Sequence, residues 1–157
     1  MIRVRVTALT EPTADQLTGV AGVFDQYRRH YGQPVVAGQT LAWLTEQTSD
    51  RRLAIFVAHV GEDLAGLATT AVLPASLRLR CSWQLRDLYV VPDARRGGVA
   101  RALVGAVRQA ATAAGAIRLS VQTEHGNLAA LQLYRASGFV PVEDVQILAL
   151  PLQRGGV

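Results

Sequence analysis

At 157 residues, half of them hydrophobic and 18% charged, the chain has the size and balance of a folded globular domain and excludes a disordered one. No apolar run approaches the ~20 residues that span a bilayer, and the alternating start Met1-Ile2-Arg3-Val4-Arg5-Val6 has no signal-peptide core, so a single cytoplasmic domain over residues 1–157 is expected. The net charge is +4, every one of the 16 basic residues is arginine, and Cys81 is the only cysteine; these exclude a Walker-type phosphate loop, which needs lysine, and an internal disulfide, and they argue against a Cys-based metal site.

Ile2, Val4 and Val6 alternate with Arg3, Arg5 and Thr7, the pattern of a half-exposed strand. Pro12-Thr13 opens a helix to about Arg29, with Leu17, Val20, Val23, Phe24 and Tyr27 on one face, and Tyr31-Gly32-Gln33-Pro34 breaks it. A second helix is expected from Gly38 to Thr48, burying Leu41 and Leu44. Leu53–Val60 and Leu64–Leu73 read as antiparallel strands joined at Gly61-Glu62-Asp63, and Pro74 begins a connection towards Cys81.

The next strand, Ser82–Val91, carries an irregularity. Apolar residues fall at Trp83 and Leu85, then at Leu88 and Val90, so the period of two slips at Arg86-Asp87. A phase change in mid-strand predicts a β-bulge there. Gly98–Ala114 is an amphipathic helix with Val99, Leu103, Val107, Ala110 and Ala114 on one face, stopped by Gly115. Ile117–Val121 is a strand, Asn127–Ala136 a short helix capped by Asn127 and ended by Gly138, and Val145–Leu152 a last strand.

The link Pro92-Asp93-Ala94-Arg95-Arg96-Gly97-Gly98-Val99-Ala100 joins a strand to a helix through two adjacent glycines. Such a turn can aim several N–H groups at one point, beside the positive end of the helix dipole, and Arg95 and Arg96 add charge. This combination suits an anion, especially a pyrophosphate. The remaining arginines are scattered and lack interleaved aromatics, so neither nucleic acid nor a membrane is expected as the primary ligand.

Arg95-Arg96-Gly97-Gly98-Val99-Ala100 fits the Arg/Gln-x-x-Gly-x-Gly/Ala motif of the GCN5-related N-acetyltransferases (GNAT). Asn127-Leu128-Ala129-Ala130-Leu131-Gln132-Leu133-Tyr134, followed by Gly138-Phe139, resembles that family's Asn-x-x-Ala-x-x-Leu-Tyr…Gly-Phe block. The likeness covers essentially the whole chain. It implies an α/β (α+β) fold, with a mixed, twisted sheet of roughly six to seven strands and about four helices, splayed between the fourth and fifth strands. It also implies acetyl-CoA as cosubstrate, no metal, a small-molecule or peptide amine as acceptor, and a homodimer.

The resemblance assigns roles residue by residue. Backbone groups of Leu88, Tyr89 and Val90 would pair with the pantetheine arm, and N–H groups from Arg95, Arg96, Gly97, Gly98, Val99 and Ala100 would hold the pyrophosphate, with Arg101 near the entrance. Asn127 would hydrogen-bond the pantetheine, cap its helix, or both. The N–H near Val90 would serve the oxyanion, and Tyr134, also against the cosubstrate, would be the general acid, since a phenol of pKa near ~10 keeps its proton at neutral pH.

Asp87, at the bulge, is the candidate base or a carboxylate bracing the loop. Glu124 and His125 are alternatives, and an amine delivered neutral needs no base. Tyr27-Arg28-Arg29-His30-Tyr31-Gly32-Gln33-Pro34 resembles a segment of bacterial members akin to the yeast histone and polyamine acetyltransferases. Tyr27 and Tyr31 would line an amine pocket or simply pack in the core. Arg86 departs from the asparagine expected in that branch. A non-catalytic acyl-CoA-binding sensor is the alternative function; it would be marked by a lost acid or a broken loop, and both are intact here.

Overall fold

The computed structural model describes residues 3–152; Ile2, expected on the first strand, lies outside the described residues. The elements in chain order are β1 (Val4–Leu9), α1 (Ala14–His30), α2 (Gln39–Ser49), β2 (Ala54–Val60), β3 (Asp63–Ala75), β4 (Arg80–Val90), α3 (Val99–Ala113), β5 (Leu119–Val121) and α4 (Leu128–Ala136). The sheet runs β1-β2-β3-β4-β5, antiparallel except for the parallel pair β4–β5.

Local chemistry sets the helix ends. Thr13 and Gln16 form a capping box at α1: the Thr13 hydroxyl accepts from the Gln16 N–H, and the Gln16 side chain accepts from the Thr13 N–H. Arg28, Arg29 and His30 fall in its last turn, where positive charge complements the dipole. α1 then lays Leu17, Val20, Val23 and Phe24 on one face of the sheet, against Ile55, Val57 and Leu67, with Leu44 of α2 closing the cluster. The opposite face presents Phe56, Ala58, Ala65, Ala68 and Leu85 to Val99, Leu103, Val104 and Val107 of α3. Neighbours in β2 thus serve opposite cores, as the period of two requires. Each buried aliphatic chain contributes ~1.5–3 kcal/mol. On α3, Ala111 is buried where Ala114 was expected, because the helix ends at Ala113 and leaves Ala114 exposed.

The expected connection from Pro74 to Cys81 is tighter than the sequence suggests. β3 continues through Pro74 to Ala75, a single 3-10 turn at Ser76–Arg78 follows, and Pro74 pairs in register with Cys81. The bulge lies where expected: Thr69 pairs with Asp87 and Thr70 with Leu85, so Arg86 is the extra residue. Beyond Leu85, which pairs with Val121, β5 has no further partner on β4, and the two strands part.

Two expectations are corrected. The described residues form five strands, not six or seven, and Val145–Leu152 is not a strand. Alternating apolar residues make a strand only when a neighbouring edge accepts its hydrogen bonds, and residues 140–152 meet none. Val142, Val145, Ile147, Leu148, Leu150 and Leu152 stay 58–87% exposed. Among the described residues, no helix is long and apolar enough to cross a membrane.

Gly66 on β3 fixes how closely β4 approaches. A Cβ at this position would stand 2.6 Å from the Tyr89 carbonyl oxygen, a backbone atom that cannot swing aside. Gly66→Ala is expected to destabilise by about 1–3 kcal/mol, read as a lowered urea midpoint with unchanged slope. A midpoint equal to wild type would show that β4 shifts freely.

Candidate active site

β4 ends in a single 3-10 turn, Pro92–Ala94, and the chain enters α3 through Arg95, Arg96, Gly97 and Gly98. Two of these adopt the left-handed region, Arg96 at φ 62° and Gly98 at φ 82°. At Gly98 a side chain would be strained, and the space where its Cβ would project is open. No side chain caps the helix at Gly98, so the first N–H groups of α3 lack a side-chain acceptor. Arg95 straps the loop to the strand: its Nε donates to the Val90 carbonyl at 3.1 Å, and its guanidinium lies 5.6 Å from the Tyr89 ring centre.

The end of β4 divides its backbone groups between two edges. The Val91 N–H donates to the Ala65 carbonyl, so Val91 and, two residues earlier, Tyr89 turn their polar groups to β3. Leu88 and Val90 turn theirs to the opposite edge, where β5 has already ended. The expected backbone trio therefore reduces to a pair. Tyr89 contributes its ring instead, 5.7 Å from that of Tyr27.

A cleft of about 640 Å³ lies against this edge. Of the residues expected to hold the cosubstrate, Leu88, Tyr89, Val90, Arg95, Arg96, Gly98, Val99, Ala100, Arg101 and Asn127 line it. Gly97 does not; it turns the loop, with its Cβ position 3.4 Å from the Ala94 carbonyl oxygen. Asn127 caps α4, its Oδ1 accepting from the Ala130 N–H at 3.2 Å, which leaves its amide NH2 for other partners. The sequence reading missed His30, Ala130 and Leu133 on the wall. The three-residue spacing of the last two on α4 carried the signal for them.

A smaller cavity of about 100 Å³ adjoins the cleft, sharing Tyr31, Leu88, Asn127 and Ala130 with it. Tyr27, Arg86, Asp87 and Tyr134 line its other walls, together with Gln122 and Thr123, which sequence patterning had no means to single out. The Thr69 hydroxyl, fully buried, donates to the Asp87 carboxylate and fixes it. Tyr134 is buried against Phe139 at 5.5 Å between ring centres, and the Phe139 N–H donates to its carbonyl. Tyr134 thus lines this cavity rather than the main cleft. Glu124 and His125 are exposed and line neither space.

Burial pushes the Tyr134 phenol up to about 12, with the nearby Tyr31 adding to the rise. Burial also raises Tyr27 far above the ordinary phenol, and the charge and hydrogen bonding of Asp87 raise it further. Both hydroxyls therefore remain proton donors throughout the neutral range. Among the described residues, no group of three or more His, Cys, Asp or Glu side chains is placed to hold a metal ion.

A sequence profile of the acetyltransferase (GNAT) family matches residues 18–139. The uncharacterized N-acetyltransferase YhfO of Bacillus subtilis (strain 168) is 31% identical over 120 residues, covering 76% of this chain and 80% of its own. A crystal structure of a probable acetyltransferase superposes with TM-score 0.88 at 28% identity, over 96% of this chain and 99% of that one. The aminoglycoside N-acetyltransferase AAC(6')-Iy, solved in complex with CoA, shares the fold with TM-score 0.76 at 21% identity, over 97% of both chains. The family match and the relative define the class of protein. The chain belongs to the GNAT family and is an N-acetyltransferase.

The raised phenols set a pH dependence of stability. Both pKa values lie above the unfolded value near ~10, so the stability conferred is complete below that pH and is lost as pH rises through about 12 for Tyr134 and higher still for Tyr27. Thermal melts between pH 9 and 11 should fall along an alkaline limb that is flatter in a Tyr27→Phe/Tyr134→Phe double variant. Identical limbs would mean that neither phenol is held away from solvent.

Proposed function

We propose that the chain transfers the acetyl group of acetyl-CoA to a primary amine by direct attack of the amine on the thioester. One observation carries this reading: the edge of Leu88 and Val90, left without a strand partner, and the uncapped start of α3 share one cleft, which adjoins the cavity of Asp87 and Tyr134. The residues suit the cosubstrate, since Gly98 leaves the cradle open and Arg96 and Arg101 stand beside it. Acetyl-CoA, when bound, supplies the activated acyl group.

The chain's own residues do the rest. Leu88 offers its N–H and C=O groups to an extended pantetheine arm, as a sheet edge accepts an added strand, while the Val90 carbonyl is held by Arg95. The N–H groups at Gly98, Val99 and Ala100 hold the pyrophosphate at the helix start. The Val90 N–H meets the negative charge that develops on the acyl oxygen. Asp87, fixed by Thr69, accepts the proton of the attacking amine, while Tyr27 and Tyr31 bound the space the amine enters. Tyr134 donates its hydrogen bond, and then its proton, to the departing thiolate. With a pKa of about 12 it is always protonated at the outset, but is a weaker acid than a thiol near ~8.5, so the hydrogen bond precedes full transfer.

Two variants test the assignment separately. Tyr134→Phe should lower kcat by about 10²–10⁴-fold while leaving acetyl-CoA affinity nearly intact. Gly98→Val should weaken acetyl-CoA binding at least tenfold, about 1.4 kcal/mol, in calorimetry. Wild-type kcat in the first would remove the acid role; wild-type affinity in a folded second would remove the cleft as the cosubstrate site.

We also propose that the protein is a homodimer. Residues 140–152 expose an alternating apolar segment and β5 offers an unpaired outer edge, so one chain carries both halves of an interface. At roughly 60–120 Å² per aliphatic side chain, two such segments bring about the 1,000 Å² that a specific interface requires. Sedimentation should give twice the 16.8 kDa protomer mass, reverting to one mass in Ile147→Asp/Leu150→Asp. A monomeric wild type would refute the pairing.

A further inference from the structure

Arg86 plays no part in the mechanism above, yet it occupies a distinctive place. As the extra residue of the bulge it escapes the strict alternation of the strand. Arg86 and Asp87, which a regular strand would send to opposite faces, consequently line the same small cavity. A cation and an anion stand side by side at the acceptor end of the site. They do not neutralise each other: among the described residues neither enters an ion pair, and Asp87 is engaged by the Thr69 hydroxyl. Arg86 is exposed, and its hydrogen-bond partner is the neutral Gln84 side chain, whose Oε1 accepts from Nη1 at 3.1 Å. The rest of the guanidinium fork remains available.

The charge balance of the site points the same way. Asp87 is the sole carboxylate among the residues lining the two spaces, against four arginines. Arg95, Arg96 and Arg101 surround the phosphate cradle, where the cosubstrate's own charge offsets them. Arg86 belongs to the smaller cavity alone, apart from the loop that carries Arg95, Arg96 and Arg101. A polycationic acceptor would place a second positive charge against it, at a cost. An acceptor carrying an anionic group beside its amine would find a complementary charge for each end. A guanidinium also presents two parallel donors, which match the two oxygens of a carboxylate.

We propose that Arg86 is a specificity-determining residue and that the acceptor is a small amine bearing a carboxylate, of the amino-acid type. Its amine lies towards Asp87 and Tyr134, and its carboxylate is held by Arg86. This rests on the N-acetyltransfer reading and narrows its substrate class.

Matched amines that differ only in the carboxylate provide the test: ornithine against putrescine, and lysine against cadaverine, with release of free CoA as the readout. Wild type should favour the carboxylate member of each pair by roughly ten- to hundredfold in kcat/KM, the scale of a lost charge-assisted hydrogen bond. Arg86→Gln should erase that preference, Arg86→Lys should restore part of it, and Arg86→Glu should invert it. Calorimetry should give all three variants the acetyl-CoA affinity of wild type. Equal or better use of the decarboxylated amines by wild type, or a preference unchanged in Arg86→Gln, overturns the proposal while leaving N-acetyltransfer standing. If wild type binds acetyl-CoA and acetylates neither member of either pair, the carboxylate reading falls. Activity on a wider amine panel then decides whether the amine-acceptor reading falls with it.

Discussion

A strand cannot keep both neighbours in register through a bulge, and that constraint organises this site. At Arg86 the pairing of β4 with β3 absorbs an extra residue, and the parallel pairing with β5 stops one position earlier, at Leu85. From there to Val90 one edge of β4 has no partner within the sheet. Unpaired backbone groups in a folded interior are costly unless something satisfies them. Leu88 thus keeps both its N–H and C=O groups without a sheet partner, whereas the Val90 carbonyl is taken by Arg95 and only its N–H is left. The same bulge turns Asp87 towards Thr69 and brings Arg86 to the wall of the smaller cavity.

The two cores hold this irregular edge in place. Phe56, Ala58 and Leu85 are covered by α3, while Ile55, Val57 and Tyr89 are covered by α1. The sheet is therefore clamped from both faces just where its hydrogen bonding fails. Val99 illustrates the economy of the arrangement: it is the first residue of α3, lies fully in the core, and sits directly after the glycine that opens the cradle. Core packing and anion site are fixed by adjacent residues. A change that loosened α3 on the sheet would also misalign its N–H groups.

Much of this was legible in the sequence, because the decisive features are local. The phase slip between Leu85 and Leu88 is a property of four residues and marks the bulge unaided. Adjacent glycines before an amphipathic helix are equally local, and Gly98 adopts the left-handed conformation that this role demands. Non-local features were less accessible. That Tyr89 spends its backbone on β3 depends on its register against Leu67, 22 residues earlier. Gln122 and Thr123 reach the acceptor cavity only because β5 ends beside the bulge. The Val145–Leu152 segment failed for the converse reason: its local pattern is that of a strand, but pairing is a relation between two segments, and within the described residues this one pairs with no strand.

The division of charge between the two spaces is the final consequence of the geometry. The cleft carries positive charge beside backbone donors, whereas the smaller cavity combines one carboxylate, one guanidinium and neutral phenols. Phenols kept protonated by burial suit such a place. Ionised, they would add negative charge beside Asp87; neutral, they donate hydrogen bonds and leave the field to Asp87 and Arg86. Burial of the tyrosines and the pairing of opposite charges by the bulge are therefore complementary. The first keeps the cavity's hydroxyls as donors through the neutral range, and the second leaves a single fixed charge of each sign on its wall.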